Sequence, residues 1–272
     1  MRMYPMITIG ALQLSSFSVM VVSAFIVAAL IGVGQARYLK VDPGIVWGLL
    51  PWAAIAGLAG AQGYSVVINL FRDMSDIPSA LANRGQVFYG GLIGGTLVTA
   101  WRFRRTGLPL AWLFDYGAPC VAVAHAIGRL GCFLVGDDYG FPTSAPWGIA
   151  FPNGAPPSTA GYLRSMGADI ANDVPASTIL AVHPVQLYEA AVLSILGALL
   201  WRVSRRAHPP YTIFAAYVLT YGAWRFFIEF WRPKNDQLFG VITSAQLISL
   251  ALVLLGTTLL LRARRARVIA TS

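Results

Sequence analysis

The chain has 272 residues, of which 57% are hydrophobic and 11% charged, and its mean hydropathy is +0.64. Soluble domains carry about 25% charged residues, so a soluble fold of this composition would lack the polar side chains needed to cover its surface. The formal net charge of +9 does not indicate nucleic-acid binding, because the basic residues cluster at the ends of apolar runs rather than alternating with aromatic residues. The composition predicts an all-α, polytopic integral membrane protein.

Seven apolar stretches are long enough, or nearly so, to cross a bilayer, which requires about 17–25 residues. The first is longer than the apolar part of a secretory signal and is followed by Arg37 and Lys40, so we expect it to be retained as a helix. The third is short, and its glycine pairs at 90–91 and 94–95 predict close helix packing. The stretches lie near 10–34, 45–70, 86–101, 110–131, 184–201, 211–231 and 242–261.

Basic residues form four clusters in alternate connections between these stretches. Cytoplasmic loops of membrane proteins carry an excess of Lys and Arg. Seven helices place all four clusters on one face, whereas one helix more or fewer would scatter them over both. The pattern therefore predicts seven transmembrane helices, an outside N-terminus and a cytoplasmic C-terminus. The clusters are Arg37 and Lys40; Arg102, Arg104 and Arg105; Arg202, Arg205 and Arg206; and Arg262, Arg264, Arg265 and Arg267.

The connection between the fourth and fifth stretches differs from the others in length and composition. Residues 132–183 are rich in Gly, Pro, Ser and Asn, as in PNGAPPSTAGY. A connection this long inside a compact protein is usually a functional loop or a small folded element. We therefore expect a single membrane domain over residues 1–272, with an extracytoplasmic insertion over residues 141–182.

Several ionisable residues lie inside or beside the apolar stretches. Inserting such a residue costs about 2.5–3.5 kcal/mol, so it marks function by default. Most of them fall in the extracytoplasmic half of the predicted topology, which indicates one site opening toward the outer leaflet. The group comprises His125, Arg129, Glu189, Arg225 and Glu229, with Asp137 and His183 at the outer boundary.

Arg129 is the first candidate for binding an anionic headgroup. Its guanidinium is a planar fork suited to phosphate, and it stays charged at any relevant pH. The alternative is an arginine that reaches the interface or pairs with Asp137. His125 lies one turn earlier on the same face, and a lone histidine there is more often a packed core residue than a catalyst.

Two other segments contribute candidates. Arg225 and Glu229 form an i,i+4 pair, which either neutralises itself or supplies a phosphate ligand and a group that assists proton transfer. In HPVQLYEA, residues 183–190, Gln186 and Glu189 lie on one helix face, and Tyr188 offers a hydroxyl. Helix capping and interface anchoring are the alternative roles for this second segment.

Cysteine and metal chemistry are not expected. Cys120 and Cys132 are the only cysteines, and on one helix they would lie ~18 Å apart, too far for a disulfide. The sequence has no His/Cys/Asp cluster at metal-ligand spacing and no phosphate-binding loop of the GxxxxGK[ST] type. We expect no cofactor, no metal and no nucleic-acid partner.

The segment GRLGCFLVGDDYG, residues 128–140, resembles the signature of the prolipoprotein diacylglyceryl transferases, whose usual form is close to GR-x-GNF-x-NGE-x-x-G. Four further blocks resemble the same family, in the same order. They are FYGGLIGG (88–95), HPVQLYE (183–189), RFFIEFWRP (225–233) and SAQLISL (244–250).

This resemblance implies a seven-helix enzyme of the bacterial inner membrane with its active site toward the periplasm. It would transfer the diacylglyceryl group of phosphatidylglycerol to the lipobox cysteine thiol of a preprolipoprotein. The products would be a thioether and glycerol 1-phosphate. Arg129 matches the signature arginine, Asp137 the acidic position and Gly140 the closing glycine, while Arg225 and Glu229 match the family's Arg/Glu pair.

The chain also departs from the family pattern. Cys132 and Val135 replace the two signature asparagines, Tyr89 replaces the histidine of HGGL, and Phe17 replaces a tyrosine near the first helix. These departures leave the acceptor of the thiol proton open. Glu229 and Asp137 rank together as candidates, followed by His183 and then by Tyr89, since an unperturbed tyrosine is a poor base at neutral pH.

The predicted site combines catalytic and headgroup-binding residues. The catalytic candidates are Arg129, Arg225, Glu229, Asp137, Tyr89 and His183. The candidates for binding the phosphatidylglycerol headgroup are Arg129, Arg225, Gly140, Gln186 and Tyr188.

Three alternatives to this function differ in the sequence features that they require. A retinal protein needs a lysine in the middle of a helix, but Lys40 and Lys234 both lie at segment ends. An anion transporter would be favoured by inverted repeats, and the sequence contains none. A divergent relative could keep the fold and act on another lipid or acceptor.

Overall fold

A computed structural model describes residues 6–9, 12–72, 88–233, 237–238 and 242–271 of the protein. Most of these residues are helical. Each predicted apolar stretch corresponds to one long helix. A short helix lies in the connection after α4, and a 3₁₀ turn, Glu229–Trp231, follows α7. In chain order the helices are α1 (Ser16–Tyr38), α2 (Gly44–Arg72), α3 (Phe88–Arg104), α4 (Leu110–Val135), α5 (Ala160–Ser165), α6 (Val185–Ser204), α7 (Thr212–Ile228) and α8 (Ser244–Thr271).

Five of these helices are long and apolar enough to cross a membrane: α1, α2, α4, α6 and α8. The remaining long helices, α3 and α7, have 17 residues each, at the lower limit for a crossing. Leu254, Leu97 and Ile55 expose 70%, 65% and 63% of their surface, as expected for side chains that face lipid. The protein is a multi-pass membrane protein, and the count of seven spans stays a prediction.

Among the described residues, three short antiparallel strand pairs accompany the helices. Strands β1 (Met6–Ile9) and β2 (Leu12–Ser15) pair with Met6 opposite Ser15. Helix α1 therefore begins at Ser16, and the predicted start near residue 10 was wrong because strand pairing takes up the preceding residues. The other pairs are β3 (Ile149–Ala150) with β4 (Ala181–Val182), and β5 (Gln237–Leu238) with β6 (Ile242–Thr243).

The chain divides into two compact units, and the smaller comprises Ala29–Phe114. Its main feature is the packing of α2 against α3 through glycines. A Cβ at Gly90 would overlap the carbonyl oxygen of Gly60, and a Cβ at Gly94 would lie 2.6 Å from the carbonyl oxygen of Ala56. The close packing predicted from the glycine pairs of the third stretch is confirmed.

The larger unit comprises Met1–Ala28 and Asp115–Ser272. In it α7 packs on α8, where a Cβ at Gly256 would lie 2.7 Å from the backbone nitrogen of Leu219. The buried Asp115 of α4 accepts hydrogen bonds from the backbone N–H groups of Tyr211 (2.7 Å) and Phe214 (2.9 Å) at the start of α7. These bonds satisfy N–H groups that the helix leaves without partners.

The connection between α4 and α6 is a folded element with its own core. Phe151 and Leu163 are fully buried there, and the ring of Tyr139 stacks on Phe151 with centroids 5.2 Å apart. The Tyr139 hydroxyl donates a hydrogen bond of 2.9 Å to the carbonyl of Pro156. This element presents a fixed surface next to the end of α4.

Candidate functional site

Arg129 lies one and a half turns before the end of α4 and is only 13% exposed. Its Nη1 donates to Asp138 Oδ2 at 3.0 Å, and its Nε lies 3.1 Å from Glu189 Oε2. Glu189 belongs to α6, and its side chain is completely buried. A buried guanidinium needs such partners, because an unpaired charge in the interior costs several kcal/mol, roughly 3–5.

Arg225, near the end of α7, forms a second buried pair with Glu229, with 2.6 Å between Nη1 and Oε2. Thr243 donates a hydrogen bond of 3.2 Å to the other carboxylate oxygen of Glu229. The predicted i,i+4 pair is therefore formed, and Thr243 at the start of α8 helps to orient it.

Arg232, which sequence reasoning did not select, connects the two pairs. Its Nη2 bonds Asp138, and its Nη1 lies 3.7 Å from Glu229 Oε2. Its side chain is 2% exposed. Arg232 therefore joins the carboxylate that holds Arg129 to the carboxylate that holds Arg225.

Five ion pairs join these residues in series. The electrostatic interaction of Arg225 with Glu189, which lies beyond ion-pair distance, completes the cycle. Three cations alternate with three anions, so the charges balance within the cycle. We call this cycle the charged ring; it comprises Arg129, Asp138, Arg232, Glu229, Arg225 and Glu189. The ring brings together the two arginines that the sequence predicts for headgroup binding.

The ring retains bonding capacity for a ligand. In the part of the chain that the structure describes, neither oxygen of Glu189 accepts a hydrogen bond with favourable geometry, and the buried Oε1 of Gln186 also lacks a partner. The ion pairs of Arg129 use Nε and Nη1, and that of Arg225 uses Nη1. Each arginine therefore has a terminal nitrogen, Nη2, with which to bind an added anion.

Asp137 lies just after α4 and outside the charged ring. Gln186 donates a hydrogen bond to its backbone carbonyl. Burial, with a further contribution from the neighbouring charge of Asp138, raises the pKa of the Asp137 carboxyl above its ordinary value. A carboxylate with a raised pKa is a better proton acceptor than one held by arginines.

Cys132, Asp137 and Asp138 form the one group of potential metal ligands within the described ranges, with their ligand atoms within 4.8 Å of one another. Asp138 is already bonded to Arg129 and Arg232. The guanidinium charges of Arg129 and Arg232 disfavour a further cation beside Asp138. The group therefore carries no argument for a metal.

Gly140 permits a close approach of backbone segments beside the ring. Its N–H donates a 2.8 Å bond to the carbonyl of His183. An added Cβ would lie 2.6 Å from the carbonyl oxygen of Trp231 and 2.7 Å from Val185 Cγ2. Its described contacts are with backbone and packed side chains, whereas the sequence predicts a headgroup-binding role.

His183 and Tyr188 bond to each other and to Trp147. The Trp147 indole N–H donates to the Tyr188 hydroxyl at 2.7 Å, and this hydroxyl lies 3.2 Å from Nδ1 of His183. Because an indole nitrogen can only donate, the Tyr188 oxygen accepts from Trp147, and the direction of the His183–Tyr188 bond follows the imidazole tautomer. These hydrogen bonds engage His183 and Tyr188, both predicted site residues, and neither residue takes part in the ion pairs of the charged ring.

His125 packs edge-to-face against Tyr221, with ring centroids 5.1 Å apart, and interacts electrostatically with Arg129 and Arg225. It therefore lies beside the ring, although the sequence favoured a packed core residue. The side chain of Tyr89 lies outside the described residues.

Comparison with known proteins identifies the family. A model of the prolipoprotein diacylglyceryl transferase family matches residues 5–262. The chain belongs to this family. The resemblance predicted from the sequence motifs is confirmed, and the protein is a transferase.

Individual relatives cover nearly the whole chain. A phosphatidylglycerol–prolipoprotein diacylglyceryl transferase of Xylella fastidiosa strain 9a5c is 32% identical over 267 residues, covering 92% of this chain and 88% of the relative. One from Oleidesulfovibrio alaskensis is 31% identical, and the match covers 93% of this chain and 90% of the relative. One from Pseudomonas aeruginosa strain LESB58 is 30% identical, with 87% of each covered. These relatives do not favour the transporter or the divergent-relative alternative.

Three members of the charged ring are not among the catalytic and headgroup-binding residues that the sequence predicts: Asp138, Glu189 and Arg232. Glu189 belongs to the group of ionisable residues that the sequence indicates as one site, but the sequence gives it no catalytic or binding role. Arg232 stands three residues after Glu229, in the RFFIEFWRP block, so its spacing was a usable signal. Asp138 occupies a variable position of the family signature, and only the folded chain reveals its two arginine partners.

Proposed function

We propose that this protein transfers the diacylglyceryl group of phosphatidylglycerol to the lipobox cysteine of a preprolipoprotein. The observation that supports this function most strongly is the charged ring. Arg129 and Arg225, from different helices, are held in one buried cluster by carboxylates that fix their positions. Fixed positive charges stabilise developing negative charge most strongly where water is excluded.

In the proposed reaction the cysteine sulfur attacks the carbon of the diacylglyceryl group that bears the phosphate oxygen. A carbon–sulfur bond forms, the carbon–oxygen bond breaks, and its electron pair stays on the phosphate oxygen. The phosphodiester thereby becomes a phosphomonoester, glycerol 1-phosphate, which carries one more negative charge or a proton. Arg129 and Arg225 bind the phosphate and stabilise this added charge.

The thiol must lose its proton, since the thiolate is the nucleophile. Among the acceptors predicted from the sequence, we propose Asp137 ahead of Glu229. Glu229 is paired with Arg225, accepts a hydrogen bond from Thr243 and lies near Arg232, so its oxygens are already engaged. Asp137 is outside the ring, and its pKa is raised by burial. His183 ranks lower because its Nδ1 faces the Tyr188 hydroxyl.

We further propose the arrangement in the membrane that the charge pattern predicts. Seven helices cross the bacterial inner membrane, with the N-terminus outside and the C-terminus in the cytoplasm. The chain forms a single membrane domain in which residues 141–182 lie on the periplasmic side. The ends of α4 and α7, which carry Arg129 and Arg225, then open toward the periplasm. The lipid enters from the bilayer with its acyl chains remaining in hydrocarbon.

A reconstituted assay tests this function. The purified protein in nanodiscs containing phosphatidylglycerol is mixed with a lipobox peptide, and the peptide is analysed by mass spectrometry. We expect a mass increase equal to one diacylglyceryl group on the cysteine and stoichiometric release of glycerol phosphate. A peptide with serine in place of cysteine should stay unmodified.

Two outcomes would contradict the proposal. One is an unmodified peptide under conditions in which the Pseudomonas aeruginosa relative modifies it. The other is modification of the peptide without release of glycerol phosphate, because the broken bond would then differ from the one proposed.

A further inference from the structure

A small polar recess opens next to the charged ring on the folded element after α4. It has a volume of about 40 Å³ and is lined by Asp138, Tyr139, Tyr162, Met166, Arg232 and Pro233. A cavity needs about 10–15 Å³ for each water molecule. The recess thus accommodates a fragment of a few heavy atoms, which must be polar to suit these walls.

The recess offers both donors and acceptors. Arg232 is 4% exposed, and its buried Nε has no hydrogen-bond partner within the described ranges of the chain. Asp138, which is 37% exposed, contributes carboxylate oxygens. Burial raises the pKa values of Tyr139 and Tyr162, so both phenols keep their protons at neutral pH. Neighbouring hydroxyl groups on a ligand can use donors and acceptors together.

Two walls of the recess, Tyr139 and Tyr162, are held in place by contacts within the folded element. Tyr139 stacks on the fully buried Phe151 and bonds the carbonyl of Pro156. Tyr162 stands in the first turn of α5, where its N–H donates to the capping Thr159 hydroxyl at 3.2 Å. A preorganised site loses less free energy on binding than one that must be ordered.

The recess and the proposed phosphate position have one side chain, Asp138, as a common neighbour. Asp138 lines the recess and also accepts the 3.0 Å bond from Arg129 Nη1. A phosphate on Arg129 and Arg225 would therefore carry its headgroup substituent toward Asp138 and Arg232.

We infer that this recess is a subsite for the glycerol headgroup of the lipid, which recognises the two free hydroxyls. This inference rests on the proposed function and adds to it the basis of headgroup choice. A trimethylammonium group cannot donate hydrogen bonds to the Asp138 carboxylate, whereas the two hydroxyls of glycerol can. After the carbon–oxygen bond breaks, the same recess holds the glycerol end of the departing glycerol phosphate.

The test compares two lipids that differ only in the headgroup. Phosphatidic acid carries the same phosphate and acyl chains as phosphatidylglycerol but has no glycerol to place in the recess. The Michaelis constant for phosphatidylglycerol and the inhibition constant of phosphatidic acid are measured for each variant in nanodiscs. Met166→Trp fills the recess, Tyr162→Phe removes one hydroxyl, and Ser165→Trp adds the same bulk to an exposed neighbour as the control.

We expect Met166→Trp to raise the Michaelis constant for phosphatidylglycerol about 10-fold, and Tyr162→Phe about 3-fold, because each removes favourable contacts. The inhibition constant of phosphatidic acid should stay within about twofold for both, as should both constants for Ser165→Trp. Unchanged Michaelis constants in the two recess variants would overturn the inference. So would an equal weakening of both lipids, which would indicate a general structural effect.

Failure of the proposed function is recognised separately. If the wild-type protein transfers nothing to the peptide, the proposed reaction fails. The recess is then tested by equilibrium binding of the same two lipids, measured by native mass spectrometry. A selective loss of phosphatidylglycerol binding in Met166→Trp would support the subsite even then, and equal binding of both lipids would overturn it.

Discussion

Arg129 illustrates how one side chain combines two requirements. It must stay charged in a buried position, and it must present nitrogens in a fixed direction. Glu189 and Asp138 meet both requirements, with N–O distances of 3.1 and 3.0 Å to different nitrogens of the guanidinium. A lysine would keep the charge but could not hold both carboxylates and a phosphate in one plane.

We predict that Arg129→Lys lowers the rate of diacylglyceryl transfer at least about 100-fold, the usual effect of losing one oriented donor to developing charge. Single-turnover kinetics with a lipobox peptide would measure this rate. Arg104→Lys, at an exposed position in the smaller unit, serves as the control and should transfer at the wild-type rate. Near-normal turnover of Arg129→Lys would mean that the phosphate is bound elsewhere.

Asp137 determines the pH dependence that we expect. A base works only when it is deprotonated, and burial raises the Asp137 pKa above its ordinary value. The transfer rate should therefore rise with pH through this raised pKa, which moves the acid limb of the profile upward. In Asp137→Asn the rate should fall by about 10²–10⁴ and this limb should disappear.

The matched control for this profile is Asp173→Asn, which removes an equal charge from an exposed position of the same element. Its profile should overlay that of the wild-type protein. An acid limb that persists in Asp137→Asn would assign proton transfer to another group, and Glu229 would then be the next candidate.

Residue-level prediction from sequence succeeded where spacing along one helix carried the information. The pairing of Arg225 with Glu229 follows from i,i+4 spacing alone. Asp138 bonds Arg129 across the end of α4 and bonds Arg232 from a distant part of the chain, and neither partner follows from spacing along one helix. Asp115 is buried in α4, and its carboxylate accepts hydrogen bonds from backbone N–H groups at the start of α7. A buried ionisable residue in a helix can therefore have a structural rather than a catalytic role.

At the scale of elements, hydrophobic patterning located each long helix in the part of the chain that the structure describes, but not every boundary. Apolar length predicts a helix in a membrane because backbone groups must be satisfied internally. It does not distinguish the β1–β2 pair from the start of α1, since a few apolar residues suit either structure. The folded element after α4 was expected only as an insertion, because its core depends on contacts such as that of Tyr139 with Phe151.

The α2–α3 contact gives a prediction about stability. Gly90→Ala places a methyl group against the Gly60 carbonyl, and the helices must separate to accept it. We expect the free energy of unfolding to fall by about 1–3 kcal/mol, the usual cost of overpacking. Equilibrium unfolding in mixed micelles would measure it.

Gly63→Ala is the control, because a Cβ at Gly63 on α2 meets nothing within 4 Å. Alanine is the better helix former by about 0.8–1.0 kcal/mol, so this variant should be neutral or slightly more stable. Equal stabilities of the two variants would contradict the close packing of these helices.

At the scale of the whole molecule, the distribution of arginine and lysine predicts the orientation in the membrane. Residues 141–182 should face the periplasm, and the Arg102–Arg105 cluster should face the cytoplasm. A cysteine introduced as Asp173→Cys should react with a membrane-impermeant maleimide in intact spheroplasts. Arg104→Cys should react only after the membrane is opened.

The parent protein controls for reaction at Cys120 and Cys132, both on α4 and partly buried. Labelling of both introduced cysteines from the same side would contradict the proposed topology. It would leave the family membership intact, since that depends on the match over residues 5–262.

The central claim is that Arg129 and Arg225 bind one lipid phosphate. The most direct measurement is an experimental structure of the protein with a phosphatidylglycerol analogue whose glyceryl carbon–oxygen bond cannot be cleaved. The phosphate oxygens should lie about 2.7–2.9 Å from guanidinium nitrogens of both arginines. A phosphate bound to one arginine alone, or at a position remote from the charged ring, would contradict this account.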